Sequence, residues 1–311
     1  MMSVAWLFPG QGTQFVGMGK SLYEESQAAR DVFERANSAL GFAISALCFE
    51  GPESDLVLTK NTQPAIVTAS IAALAALKEL VPNLPAPNVA AGHSLGEYSA
   101  LVAASALSLE DAVRLVHLRG KAMQEAVPEG KGAMAAILGG DRAAVEDLCR
   151  AAQAAGSVSP ANFNAPGQIV IAGSSEGVGR ASELAGERKL KAIPLKVSAP
   201  FHCSLMEPAA RAVESALGDI QIAPLAFPVV SNVEAEPNQA SERVAELLVK
   251  QIDGPVLWEQ SVLRMRALGV DQALEIGPKN VLAGLVRKID KALKVQSLFE
   301  MDALRKFAET L

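Results

Sequence analysis

Val89-Ala90-Ala91-Gly92-His93-Ser94-Leu95-Gly96-Glu97 is the stretch on which the reading of this chain turns. A short apolar run, 89–91, leads directly into a segment of helical character, 96–106. Between them stands Gly-x-Ser-x-Gly, a strand-to-helix turn that holds a serine hydroxyl on a sharp bend beside helix N-terminal amides. A plain tight turn would use Gly92 and Gly96 for backbone freedom alone. A nucleophilic Ser94 needs, in addition, a base to take its proton.

Histidine is the usual base, and the chain has three. His93 adjoins Ser94, and neighbours at a strand end point to opposite faces, so it reads as a turn or packing residue. His117 lies mid-helix in Val113-Arg114-Leu115-Val116-His117-Leu118-Arg119 and reads as structural. His202 follows Val197-Ser198-Ala199-Pro200-Phe201, taken as a strand ending in proline, and precedes a helix over 205–217. A loop leaving a strand end is where α/β enzymes place catalytic groups.

The periodicities predict strand 4–8, helices 21–40 and 64–80, strand 89–91, and helices 96–106 and 109–126. A strand at 132–138, helix 142–155, strands 157–162 and 168–172, helix 176–186 and strand 191–197 follow. That order is the βαββαβ, ferredoxin-like split motif. Helix 205–217, strand 228–231, helices 241–252 and 259–268, strand 272–276, helix 281–289 and strand 294–298 complete the chain. Alternating strands and helices imply a mostly parallel sheet. The expected fold class is therefore α/β: a large domain like the α/β-hydrolases, formed by 1–127 and 198–311, with a small ferredoxin-like domain, 128–197, inserted. Ser94 and His202 then face each other across the cleft between them.

Five blocks stand in order along the chain: Phe8-Pro9-Gly10-Gln11-Gly12, Gly92-His93-Ser94-Leu95-Gly96-Glu97, Leu118-Arg119-Gly120, Asn162-Phe163-Asn164-Ala165-Pro166-Gly167-Gln168 and Ser198-Ala199-Pro200-Phe201-His202. Together they resemble the malonyl-CoA:acyl carrier protein transacylases of bacterial fatty acid synthesis, over 4–298. The resemblance implies a malonyl ester on Ser94, proton relay by His202, and a backbone carbonyl near Gln251 orienting that histidine. It implies an oxyanion hole from the amides of Leu95 and Gln11. It places Arg119 on the malonyl carboxylate, with Gln11, Phe201 and Asn162 also at the substrate, Phe201 excluding an α-methyl branch. It implies malonyl-CoA and acyl carrier protein as partners and no cofactor. One block departs: in Glu275-Ile276-Gly277-Pro278-Lys279-Asn280 a lysine stands where the family has a second glycine.

From the residues alone Arg119 reads equally as a surface arginine paired with Glu110, Asp111 or Glu125, on a helix that Ser108-Leu109-Glu110-Asp111 caps. A serine hydrolase and a silent carrier-protein-binding module share the elbow, and an acyltransferase serving a polyketide synthase shares every motif. No Gly-x-Gly-x-x-Gly, Walker loop or metal-ligand spacing is present, so no metal is expected. Cys48, Cys149 and Cys203 form no Cys-x-x-Cys pair, and Cys203 reads as a bystander. A net charge of −6 argues against nucleic acid, and an acidic carrier protein would need a local basic patch: Arg188, Lys189 and Lys191, or Arg287 and Lys288. The N-terminus reads as no signal peptide, and the apolar run 65–77 as a buried helix too short to span a bilayer. A cytoplasmic monomer is expected.

Overall fold

A computed structural model describes residues 3–311, so the first two positions of the leading expected domain lie outside the described residues. The strands in chain order are β1 (Val4–Phe8), β2 (Val89–Gly92), β3 (Gly132–Leu138), β4 (Val158–Ala165), β5 (Gln168–Ser174), β6 (Lys191–Pro194), β7 (Val229–Val230), β8 (Pro237–Asn238), β9 (Gln272–Ile276) and β10 (Lys294–Leu298). They form two sheets, β10-β9-β1-β2-β7-β8 and β4-β5-β3-β6. The first is parallel except for its β7–β8 edge, and the second is antiparallel throughout.

Alternation along β1 shows why the large sheet is covered on both faces. Trp6 and Phe8 join one apolar cluster with the helix Thr59–Leu80, while Ala5 and Leu7 join another with Trp258, Val262 and Leu285. The small sheet has its own core, in which Ile137, Val145, Leu148, Phe163 and Ile171 are buried.

The expected elements are present, with boundaries corrected by particular residues. The helix expected over 21–40 is two, Lys20–Glu25 and Gln27–Leu40, because Ser26 leaves the helical region and its hydroxyl accepts the Ala29 amide. The helix expected to start at Pro64 starts at Thr59, and the proline sits inside it. Proline cannot donate to the carbonyl four residues back, that of Lys60. His117 Nδ1 fills the gap, 2.8 Å from that oxygen. The strand expected over 191–197 ends at Pro194, so 195–200 approach His202 as irregular chain. Helices Ile44–Glu50, Glu53–Leu56 and Met301–Ala308, and the short β8, were not expected. No described helix is long and apolar enough to cross a membrane.

Candidate active site

The elbow brings the backbone closer than any side chain allows. A Cβ on Gly92 would stand 1.9 Å from the Gly96 carbonyl carbon, and one on Gly96 would stand 2.0 Å from the Phe8 oxygen. The two glycines are therefore required for space, and not for the backbone freedom that a plain tight turn would use. The left-handed residue of the turn is Ser94 itself, with φ of 50°. A non-glycine residue held there is strained, a condition that persists only where surrounding contacts impose it. They are at hand: Asn232 Oδ1 accepts the Ser94 amide at 2.6 Å, and Gln251 Nε2 donates to the Ser94 carbonyl at 2.9 Å.

His202, also left-handed with φ of 62°, meets the serine from the other side. Its Nε2 lies 2.7 Å from Ser94 Oγ, and its Nδ1 lies 2.8 Å from the Gln251 carbonyl oxygen. A carbonyl can only accept, so Nδ1 carries the hydrogen and Nε2 presents its lone pair to the serine hydroxyl. Burial, and then the charge of Arg119, lower the His202 pKa to about 3, so the ring is neutral at neutral pH.

Arg119 lies on the helix Leu109–Glu125, whose N-cap is Ser108 as expected. It is 2% exposed. Ala112, Val116, Arg119 and Met123 share the buried stripe, so the guanidinium enters the interior by its place on the helix. The surface pairings are not made: Glu110 bonds Arg35 instead, and among the described residues no carboxylate lies within 4.0 Å of Arg119. The guanidinium donates to Gln63 Oε1 at 2.8 Å, Gln251 Oε1 at 2.9 Å and Ser94 Oγ at 3.1 Å, and stands over the Tyr98 ring. Gly120 lets this helix press on the next, since a Cβ there would lie 2.6 Å from the Thr59 carbonyl oxygen.

Ser94, His202 and Arg119 open on a cavity of about 310 Å³. Gln11, Gln63 and Leu95 line it from the large-sheet side, Met134 and Asn162 from the small-sheet side, and Phe201 from the connecting chain. His93 packs on Trp258 and bonds Asn164 Oδ1 at 2.7 Å, in keeping with a turn or packing role, but it also lines the cavity, which that role did not anticipate. Cys203 is buried with its Sγ 3.0 Å from the Pro200 oxygen, and burial pushes its pKa up to about 11, leaving a thiol.

Three residues of this constellation escaped the sequence reading: Gln63, Glu97 and Asn232. Glu97 stood inside the quoted motif, and Gln63 precedes a proline on a buried helix, but nothing local marks either as belonging to a site. The basic patches divide differently from expectation. Arg287 lies in a groove with Lys291 and Lys294, whereas Lys288 Nζ donates to Gln168 Oε1 at 2.8 Å, joining its helix to the small sheet. Arg188 pairs with Asp147, and Lys189 and Lys191 are exposed.

The acyl transferase domain model matches residues 5–301. The malonyl CoA-acyl carrier protein transacylase of Bacillus subtilis is 47% identical over 313 residues, covering 100% of this chain and 98% of its own length. The crystal structure of the Clostridium perfringens malonyl CoA-acyl carrier protein transacylase superposes with a TM-score of 0.95 at 42% identity, over 99% of this chain and 96% of that one. A malonyl-transacylase solved in complex with its type II PKS acyl-carrier protein matches with a TM-score of 0.95 at 42% identity, over 99% of this chain and 100% of that one. An elbow serine, a histidine held by a backbone carbonyl and a buried arginine thus occur in a chain that belongs to the acyl transferase domain family and, within it, to the malonyl CoA-acyl carrier protein transacylases.

Proposed function

We propose that this enzyme moves the malonyl group from malonyl-CoA to the phosphopantetheine thiol of acyl carrier protein through a malonyl ester on Ser94. His202 Nε2 takes the hydroxyl proton as Ser94 Oγ attacks the thioester carbonyl, then returns it to the departing CoA sulfur. In the second half the carrier thiol gives its proton to the same nitrogen while its sulfur attacks the ester. Ser94 leaves and is reprotonated. The amides of Leu95 and Gln11 receive the negative oxygen in both halves, and losing one such donor costs about 3 kcal/mol in comparable sites. The Gln251 carbonyl fixes the His202 tautomer, so a Ser-His dyad suffices without a third acid.

The observation that carries the malonyl assignment is Arg119: buried, without a carboxylate neighbour, and 3.1 Å from the reacting oxygen. A guanidinium so placed calls for an anion on the acyl group, and acetyl brings none. Phe201 and Asn162 line the same cavity, where the ring would crowd an α-methyl branch. We take 128–197 as an inserted domain closing the cleft, with 1–127 and 198–311 forming the other. Lys189, Lys191, Arg287 and Lys288 are proposed to receive the acidic carrier protein, in a monomer working in the cytoplasm. The likeness to a malonyl-transacylase bound to a polyketide carrier protein supports a second reading that differs only in the carrier served.

Loading with labelled malonyl-CoA, followed by a chase into buffer or carrier protein, tests the reaction class. The label is expected to persist in buffer and leave to carrier protein. Rapid loss to buffer would mark a hydrolase, and no label at all a silent binding module.

A further inference from the structure

Glu97 is the first-turn acid of the helix Gly96–Ala103, is 3% exposed, and takes no part in the steps above. Its Oε2 accepts the Asn232 backbone amide at 3.0 Å and Gln251 Nε2 at 2.8 Å. Asn232 in turn holds the elbow, accepting the Ser94 amide and donating to the Gly92 oxygen at 2.7 Å. Gln251 holds everything else: Ser94 and Arg119 through its side chain, His202 through its carbonyl. Each member of the site is one residue removed from this carboxylate.

Two physical consequences follow from its being a carboxylate. A carboxylate only accepts hydrogen bonds, so Gln251 must turn Nε2 toward Glu97 and Oε1 toward Arg119. A glutamine at 97 could face Gln251 with either atom and would leave that orientation unset. Arg119 also lacks a direct carboxylate partner among the described residues, and Glu97 is the anion whose field reaches it.

We propose that Glu97 is a positioning residue and the buried counter-ion of Arg119, holding the guanidinium ready for the acyl carboxylate through the side-chain amide of Gln251. This rests on the assignment of Ser94, His202 and Arg119 made above. A malonyl carboxylate arriving at Arg119 adds a second negative charge beside the pair, so Glu97 takes up a proton on Oε1 as substrate binds, leaving Oε2 to accept both bonds as before. Burial already pushes its pKa up to about 7, which sets this uptake in the neutral range. Arg119 on the neighbouring helix and Tyr98 beside it are the ionisable groups acting on Glu97. The residues of β7 and of the helix Ser241–Asp253 that enclose it, Val229, Val244, Leu247 and Gln251, are uncharged.

Calorimetry of malonyl-CoA binding in buffers of different ionisation enthalpy, at pH 7, tests this on the Ser94→Ala enzyme, which cannot be acylated. Proton uptake is expected there and is expected to vanish in Ser94→Ala/Glu97→Gln; equal uptake in both would overturn the proposal. In steady state, Glu97→Gln alone should lower kcat about tenfold or more while KM falls, because an unneutralised Arg119 grips the carboxylate harder. A raised KM, or a wild-type kcat, would contradict it. Should the double variant not fold, acetyl-CoA replaces it as the control on Ser94→Ala, with uptake expected for malonyl-CoA alone; equal uptake for both would again overturn the proposal. Malonyl binding that survives Arg119→Ala would instead sink the underlying site assignment, whatever Glu97 does.

Discussion

Two strand-to-helix turns leave the parallel sheet on either side of β1, one after β2 and one after β9, and they are put to opposite uses. Each begins with a glycine, Gly92 or Gly277, and each holds a non-glycine residue in the left-handed region, Ser94 at 50° and Lys279 at 64°. After β9, the helix Val281–Ile289 has its first amides capped from within: Glu275 Oε1 accepts Leu282 N at 2.8 Å and Oε2 accepts Ala283 N at 2.9 Å. After β2, the helix's own acid, Glu97, turns away to Asn232 and Gln251, and the Leu95 end of the helix opens on the cavity. A helix N-terminus attracts negative charge in either case. Where the protein supplies the anion the turn is structural, and where it supplies none the turn is left free for the oxyanion that the proposed mechanism develops there.

Substitutions at the open turn should act on chemistry. Ser94→Ala and His202→Ala are each expected to lower acylation by about a thousandfold or more in stopped-flow release of CoA, with thermal midpoints little changed. His93→Ala should do less, because its ring bonds Asn164 and does not reach the hydroxyl. The reverse ranking would reassign the base. Next in size, Arg119→Ala should reduce malonyl transfer about a hundredfold, by analogy with other truncated buried charge pairs, and raise the relative use of acetyl-CoA. Unchanged selectivity in a competition assay would remove the carboxylate clamp.

Substitutions at the closed turn should act on stability. Glu275→Gln weakens the acceptor of two amides and of Ser297 Oγ, and is expected to cost about 1–3 kcal/mol in denaturant titration with kcat unaltered. A loss of kcat without a loss of stability would erase the contrast between the turns. Smallest of all, Lys279→Gly relieves the left-handed strain and gives up one exposed bond, from Nζ to the Gly12 oxygen at 3.2 Å. A gain of about 1 kcal/mol is expected, read as a rise of a few degrees in thermal midpoint.

Acid adds a test specific to the open side. Folded His202 holds its pKa near 3, while the unfolded ring titrates near about 6.5, so between these values the unfolded chain binds the extra proton. Stability therefore falls as pH drops through that window. The slope should be shallower in His202→Ala.

Much of this was legible in the sequence where the signal is local. Strands β3, β9 and β10 and the helix Val281–Ile289 fall on the expected bounds, since alternation or an amphipathic stripe fixes each within its own residues. Ser94 and His202, which the fold brings within 2.7 Å of each other, were singled out because glycine-flanked serine and scarce histidine are chemically conspicuous. The carboxylate cap from Glu275 and the Glu97–Gln251 link were not, since each joins residues that only the folded sheet brings together. Pro194 ended β6 early for a related reason: the alternation Ile193, Leu195, Val197 continues past it, yet the pairing with β3 runs out once the Leu195 amide has donated to the Met134 oxygen at 2.9 Å. Those apolar residues stay exposed, and Leu195 and Val197 line the cavity.

Peptide mass mapping of the enzyme quenched after mixing with malonyl-CoA tests the central claim most directly. A malonyl ester confined to the Ser94 peptide, absent from Ser94→Ala and discharged on adding carrier protein, is the predicted result. Malonyl found on Cys203 or on any other residue, or retained on Ser94 after carrier protein is added, would contradict it.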